Sequence, residues 1–168
     1  MPDDNAPAAP TPTPKPFRPR DELGRPLPAG SANQLALPDF DANTLEQNHA
    51  LAIGYFDAGN YFAAHEAWET CWMQAKGTDE EQFFKGFAQL GAGYTHYLRG
   101  NAHGARALLQ RALDRILTCG SPHRGVDVRA FTHDIRVAHQ VAGIVELRGG
   151  GPVQLPPLKP VKVPQVGS

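Results

Sequence analysis

The sequence predicts an all-α protein, a compact up-and-down bundle of about five helices between disordered Pro-rich termini. Three observations carry this. Fifteen of the 16 prolines lie within residues 2–38 or 152–164, so only Pro122 interrupts the stretch from Asp39 to Gly151. Within that stretch apolar residues recur at intervals of three and four, as on one face of a helix. Between the first four periodic segments stand only Gly59-Asn60, Lys76-Gly77-Thr78 and Gly100-Asn101, links so short that consecutive helices must pack antiparallel.

The first helix is expected from about Thr44 to Ala58, with Asp41 or Asn43 as cap, an apolar stripe of Leu45, Leu51, Ile53, Tyr55 and Phe56, and Gly59 as its stop. Asn60 caps a second, from Tyr61 to about Ala75. A third starts behind Thr78, where Asp79, Glu80 and Glu81 suit the positive end of the helix dipole, and runs to Arg99. Asn101 caps a fourth, Ala102 to about Leu117, with Ala105, Leu108, Leu109, Ala112, Leu113 and Ile116 on one face. Asp127 caps a fifth that reaches about Leu147. Residues 1–42 read as a disordered N-terminal tail, 43–148 as the helical domain and 149–168 as a disordered C-terminal tail. Leu35 to Phe40 carries enough apolar residues to lie on the domain as a strap.

Sixteen basic against 17 acidic side chains give a net charge of −1, which offers no basic footprint for nucleic acid or an anionic membrane. The N-terminus has neither the basic start nor the apolar run of a secretory signal, so a cytoplasmic location is expected, with a small molecule or a protein as partner. Cys71 and Cys119, far apart inside helical patterns, are expected as free thiols. His123 and Arg124, in the loop after the fourth helix, are expected to be solvent-exposed.

One stretch concentrates polar chemistry. His65, Glu66 and Glu69 lie on the second helix with Trp68 and Trp72. His65 and Glu69 are four apart and share a face, whereas Glu66 points about 100° away. The third helix brings Gln89, Gly93 and His96 to a single face. If the hairpin turns at Gly77, His65 is level with Gln89 and Glu69 with Lys85. His96 lies some 10 Å further along, a gap narrowed because side chains on antiparallel helices lean towards each other. Asn101 follows His96 closely as the cap of the fourth helix. Gly86, Gly91 and Gly93 each weaken a helix by about 1 kcal/mol, which a close approach of backbones would explain. Trp68 and Trp72 read as core.

Two functions fit these residues. In the first, the His-Glu-Gln cluster between helices two and three is a packing or binding site in a protein-interaction or small-ligand-binding module, because one helix pair supplies no firm third metal ligand. The alternative is a metal-dependent hydrolase in which His65, Glu69 and His96 hold a divalent ion such as zinc and Glu66 moves the proton. The spacing His-Glu-x-x-Glu is similar to the His-Glu-x-x-His helix of zinc proteases, but its last position departs, so protease chemistry does not carry over.

Residues 51–117 contain Leu-x-x-Gly-Tyr-Phe-Asp-x-Gly-Asn-Tyr-Phe-x-x-His-Glu-x-Trp-Glu-x-x-Trp, then Phe-Phe-Lys-Gly-Phe-x-Gln-Leu, His96 and Gly100-Asn101-x-x-Gly104-Ala105. In this they resemble the bacterial and archaeal domain-of-unknown-function family 309. The resemblance implies a compact helical bundle and the family's general description as a predicted metal-dependent hydrolase, which rests on residues of the kind found here at His65, Glu66, Glu69 and His96. The Pro-rich ends lie outside the family pattern.

Overall fold

The computed structural model describes residues 18–22, 24–149 and 162–167. Among them five helices follow a short 3-10 turn at Phe40–Ala42: α1 Leu45–Asp57, α2 Tyr61–Gln74, α3 Glu81–Leu98, α4 Ala102–Ile116 and α5 Val128–Leu147. Each packs on the next in chain order, the up-and-down arrangement that the short links require.

The helix ends are written in local chemistry. The cap of α1 is Thr44 rather than Asp41 or Asn43, because Gln47 completes a capping box with it: each side chain accepts from the other's backbone N–H. Asn60, Asn101 and Asp127 cap α2, α4 and α5 as expected, each accepting from the N–H three residues on. Gly59 and Gly100, at φ 81° and 82°, take the left-handed conformation that lets the chain reverse into the next helix. The third helix begins at Glu81, later than the sequence suggests. The Thr78 hydroxyl accepts from the Glu80 N–H and donates to the Ala75 carbonyl, holding a separate turn between α2 and α3.

The core is aromatic. Trp68 is fully buried against Phe56 and Phe87, and Phe131 of α5 reaches across to both phenylalanines, stacking on Phe87 at 5.4 Å. The expected stripe of α1 is corrected: Leu51 is exposed, and the buried face is Asn48, His49, Ala52 and Phe56. Two polar groups sit there because each has a partner. Asn48 donates to the Phe40 carbonyl, and the His49 Nδ1 accepts the Trp68 indole N–H at 3.0 Å. Both cysteines are free, Cys71 buried so deeply that its thiol is pushed up to about 12.

The expected tails fall partly on residues 1–17, 23, 150–161 and 168, outside the described residues. The described residues of both flanks lie on the domain. Leu35 and Phe40 are buried, which makes this stretch the expected strap, and Gly24 packs against the Phe62 ring. At the other end Val163 is buried and donates its N–H to Asp57, Pro164 accepts from the Asp127 N–H, and Val166 donates to Gly125. The loop after α4 is a second correction. His123 packs on Phe83 with the ring centroids 4.5 Å apart and the planes tilted by 46°, and lies 3.3 Å from Glu80, while Arg124 pairs with Glu80 through Nε and a terminal nitrogen and covers Phe84. A bidentate acceptor at the start of α3 draws both side chains in from solvent.

His49 lies near this loop, and burial first, then the charge of Arg124, lowers its pKa to about 4; Glu80 acts the other way and His123 adds to the lowering. Between pH 6.5 and 4 the unfolded chain therefore takes up a proton that the folded chain refuses, so stability falls as pH drops through that window. The loss is on the order of 3 kcal/mol at 1.36 kcal/mol per pH unit. His49→Phe should cost about 1–3 kcal/mol at pH 7, because it strands the Trp68 N–H, yet flatten the dependence on acid. Melting curves of both proteins at pH 7, 5.5 and 4 check this, and parallel curves would exclude His49 as the source.

Candidate functional site

The site is set by how closely α2 and α3 approach. A Cβ on Gly91 would lie 2.9 Å from the His65 Cα and backbone N, so only glycine lets the two backbones meet here. Gly86 and Gly93 admit Ile116 and Leu109 of α4 in the same way, at 2.8 and 3.2 Å. At the Gly91 crossing His65 Nδ1 lies 2.8 Å from the Ala88 carbonyl. A carbonyl only accepts, so Nδ1 carries the proton and Nε2 presents its lone pair.

That lone pair faces carboxylates. Glu69 Oε2 is 3.5 Å and Glu66 Oε1 3.8 Å from Nε2, and the ligand atoms of the three side chains all lie within 4.8 Å of one another. Glu66 thus stands beside His65, although the helix places its Cα direction off the His65 face; a long side chain spans that angle. Exposure rises across the group, from 24% at the His65 side chain through 36% at Glu66 to 47% at Glu69, so one side opens to solvent. Burial raises the Glu66 pKa; the neighbouring His65 opposes this, Glu69 adds to it, and Arg20 opposes it.

The other expected members go elsewhere. Gln89 Oε1 accepts from Arg115 Nε at 2.9 Å, which turns it towards α4 and out of the cluster. His96 is absent from the ligand group. Asn101 explains why: its Oδ1 accepts from the Gly104 N–H, so its Nδ2 donates to His96 Nδ1 at 3.0 Å and the His96 proton sits on Nε2. His96 is therefore a hydrogen-bond donor beside the site, with a pKa lowered by burial, then by Arg99 and His65. Trp68 belongs to the core. Trp72 is half-buried, donates to Glu81 at 3.4 Å and carries the Lys85 ammonium 4.7 Å above its ring.

Residues 50–108 match the family model of the Domain of unknown function (DUF309). This segment is a DUF309 domain. The match takes in the second half of α1, all of α2 and α3 and the first half of α4, so every expected site residue lies inside the DUF309 segment, while α5, the loop to it and the N-terminal strap lie outside. Neither the curated proteins nor the solved structures hold a match to the chain. No described helix is long and apolar enough to cross a membrane.

Sequence reasoning missed two residues beside the site, Arg20 and Arg99, and one in the core, His49. His49 was hidden because the expected apolar stripe of α1 shares only Phe56 with the buried face; Ala52 and Phe56, three and seven positions on, were the signal. Arg20 and Arg99 carry no periodic signal, since one sits in an irregular segment and the other at a helix end.

Gly91→Ala tests the crossing. Helix propensity gains about 1 kcal/mol, whereas forcing apart two packed backbones costs about 1–3 kcal/mol, so a net loss is expected together with a displaced His65. A variant as stable as the wild type, with unchanged chemical shifts at the His65 ring, would show that the approach is not a constraint.

Proposed function

We propose that His65, Glu66 and Glu69 bind a divalent cation, and that the DUF309 domain here serves a hydrolytic reaction at that site. One observation carries the reading: the His65 Nε2 lone pair and the carboxylate oxygens stand at 3.5 and 3.8 Å. Both distances are too long for an N–H···O hydrogen bond, which closes at 2.7–3.2 Å. Ligand atoms held about 2.0–2.2 Å from a tetrahedral ion stand about 3.3–3.6 Å apart, close to what is found. The donation from His65 Nδ1 to a backbone carbonyl is the outer contact that orients an imidazole ligand.

The donor set of one imidazole and two carboxylates suits zinc or a similar ion, with the exposed side left for water or substrate. Such an ion, when bound, lowers the pKa of water and polarises a carbonyl or phosphoryl oxygen. Around it, Glu66 ligates rather than moves the proton, and the His96 Nε2–H supplies a donor. The packing reading accounts for the His65 to Ala88 bond alone, since Gln89 is taken by Arg115.

Elemental analysis and melting curves of untagged protein test this. The expected outcome is about one equivalent of zinc after dialysis and a chelator-sensitive melting temperature. His65→Ala and Glu69→Gln should abolish both the metal and the sensitivity. Glu66→Gln should weaken metal binding by tenfold or more, which separates ligation from proton transfer. Affinity should also fall with acidity, because protons compete for the same carboxylates and imidazole. A metal-free protein with a chelator-blind melting curve would return the site to a packing role.

A further inference from the structure

The N-terminal strap brings two guanidinium groups to the edge of the polar site. Arg20 and Arg99, 79 positions apart, both donate to the Gly24 carbonyl at 2.6 Å. Both lie over the Phe62 ring, at 4.8 and 5.8 Å from its centroid. Two like charges thus converge on a single neutral acceptor. Asp21, whose charge also acts on Arg99, accepts from Arg25 through both its Nε, at 2.5 Å, and its backbone N–H, at 2.8 Å. The Arg99 Nε is buried and meets no hydrogen-bond partner among the described residues. Such an unmade bond is destabilising, and more so beside a second cation. The crowding registers in Arg99, whose pKa falls chiefly through burial and next through Arg20, with Asp21 opposing and Arg25 adding to the fall.

This pair adjoins the site described above. The Phe62 ring beneath the guanidiniums is 6.1 Å from the His65 ring. The charge of Arg20 acts on Glu66, and that of Arg99 on His96. We propose that Arg20 and Arg99 form an oxyanion-binding cradle beside His65, Glu66 and Glu69, so that the small molecule bound there carries a phosphate or carboxylate group. The planar guanidinium fork matches the oxygens of either group in pairs, and the Arg99 Nε–H gains the acceptor it lacks. As a statement about substrate this rests on the proposed metal site; as an anion site it stands on the arginines alone.

A merely structural role, in which the two side chains pin the strap through Gly24, predicts a loss of stability without any anion affinity. Calorimetric titration of inorganic phosphate and of acetate into the full chain separates the two. The wild type should bind one equivalent of one of these anions saturably, and the better anion identifies the group. Arg20→Met and Arg99→Met should each bind at least tenfold more weakly with unchanged circular dichroism, while Arg111→Met on the exposed side of α4 should bind as the wild type does. Should the Met variants unfold, Arg20→Lys keeps the charge and loses the fork, and a several-fold weaker affinity is expected from it. Absence of saturable binding of either anion, or equal affinity in wild type and arginine variants, overturns the cradle. Zinc content of the same samples keeps the readings apart. Zinc without anion binding sinks the cradle alone, and Arg-dependent anion binding without zinc sinks the metal site alone.

Discussion

The contact between Gly91 and the backbone of His65 is the constraint on which the polar site depends. Any larger residue at 91 would hold α3 away from α2, and the His65 imidazole would lose the Ala88 carbonyl. With that bond made, the ring is oriented and its proton placed; the remaining nitrogen can only face outward, where Glu66 and Glu69 converge. A single missing Cβ is thereby converted into the tautomer of a histidine. The same economy holds α4 on α3, through Gly86 and Gly93.

Two histidines of one molecule show how surroundings divide their roles. His49, on α1, is ringed by Phe83, Phe84 and Phe87 and accepts from an indole, so burial keeps it neutral and it serves the core. His65 lies one helix away, partly open, with one nitrogen tied to backbone and the other among carboxylates. The residue type is the same, and what differs is which nitrogen is spent on the fold. Outside the matched segment, the strap at Gly24 and the loop at His123 and Arg124 clasp the bundle from two sides, each through arginine over an aromatic ring.

The architecture was legible because helix ends are local. Asn60, Asn101 and Asp127 announce their helices within three residues, and Gly59 and Gly100 close theirs, so the five helices follow from spacing and caps alone. The face of α1 was less legible. Asn48 and His49 are polar and yet buried, because their partners, the Phe40 carbonyl and the Trp68 indole, come from elsewhere in the chain. In the site, the pairing of His65 with Glu69 followed from i,i+4 geometry. Gln89 and His96 were misplaced for the same kind of reason: each has a stronger partner, Arg115 or Asn101, on the fourth helix and its cap, which reasoning about one hairpin cannot weigh. Arg20 reaches the site only through the strap, and no periodicity foretells where an irregular segment will lie.

The claim beneath this account is that the His65 proton sits on Nδ1, committed to Ala88, and that Nε2 is the nitrogen left for a ligand. Long-range nitrogen–proton correlation spectra of the metal-free protein at pH 8 read this directly. The expected spectrum is that of a neutral Nδ1–H ring whose unprotonated Nε2 signal, and not its Nδ1, shifts on addition of zinc. A proton on Nε2, or a zinc-induced change at Nδ1 with loss of the Ala88 bond, would contradict it.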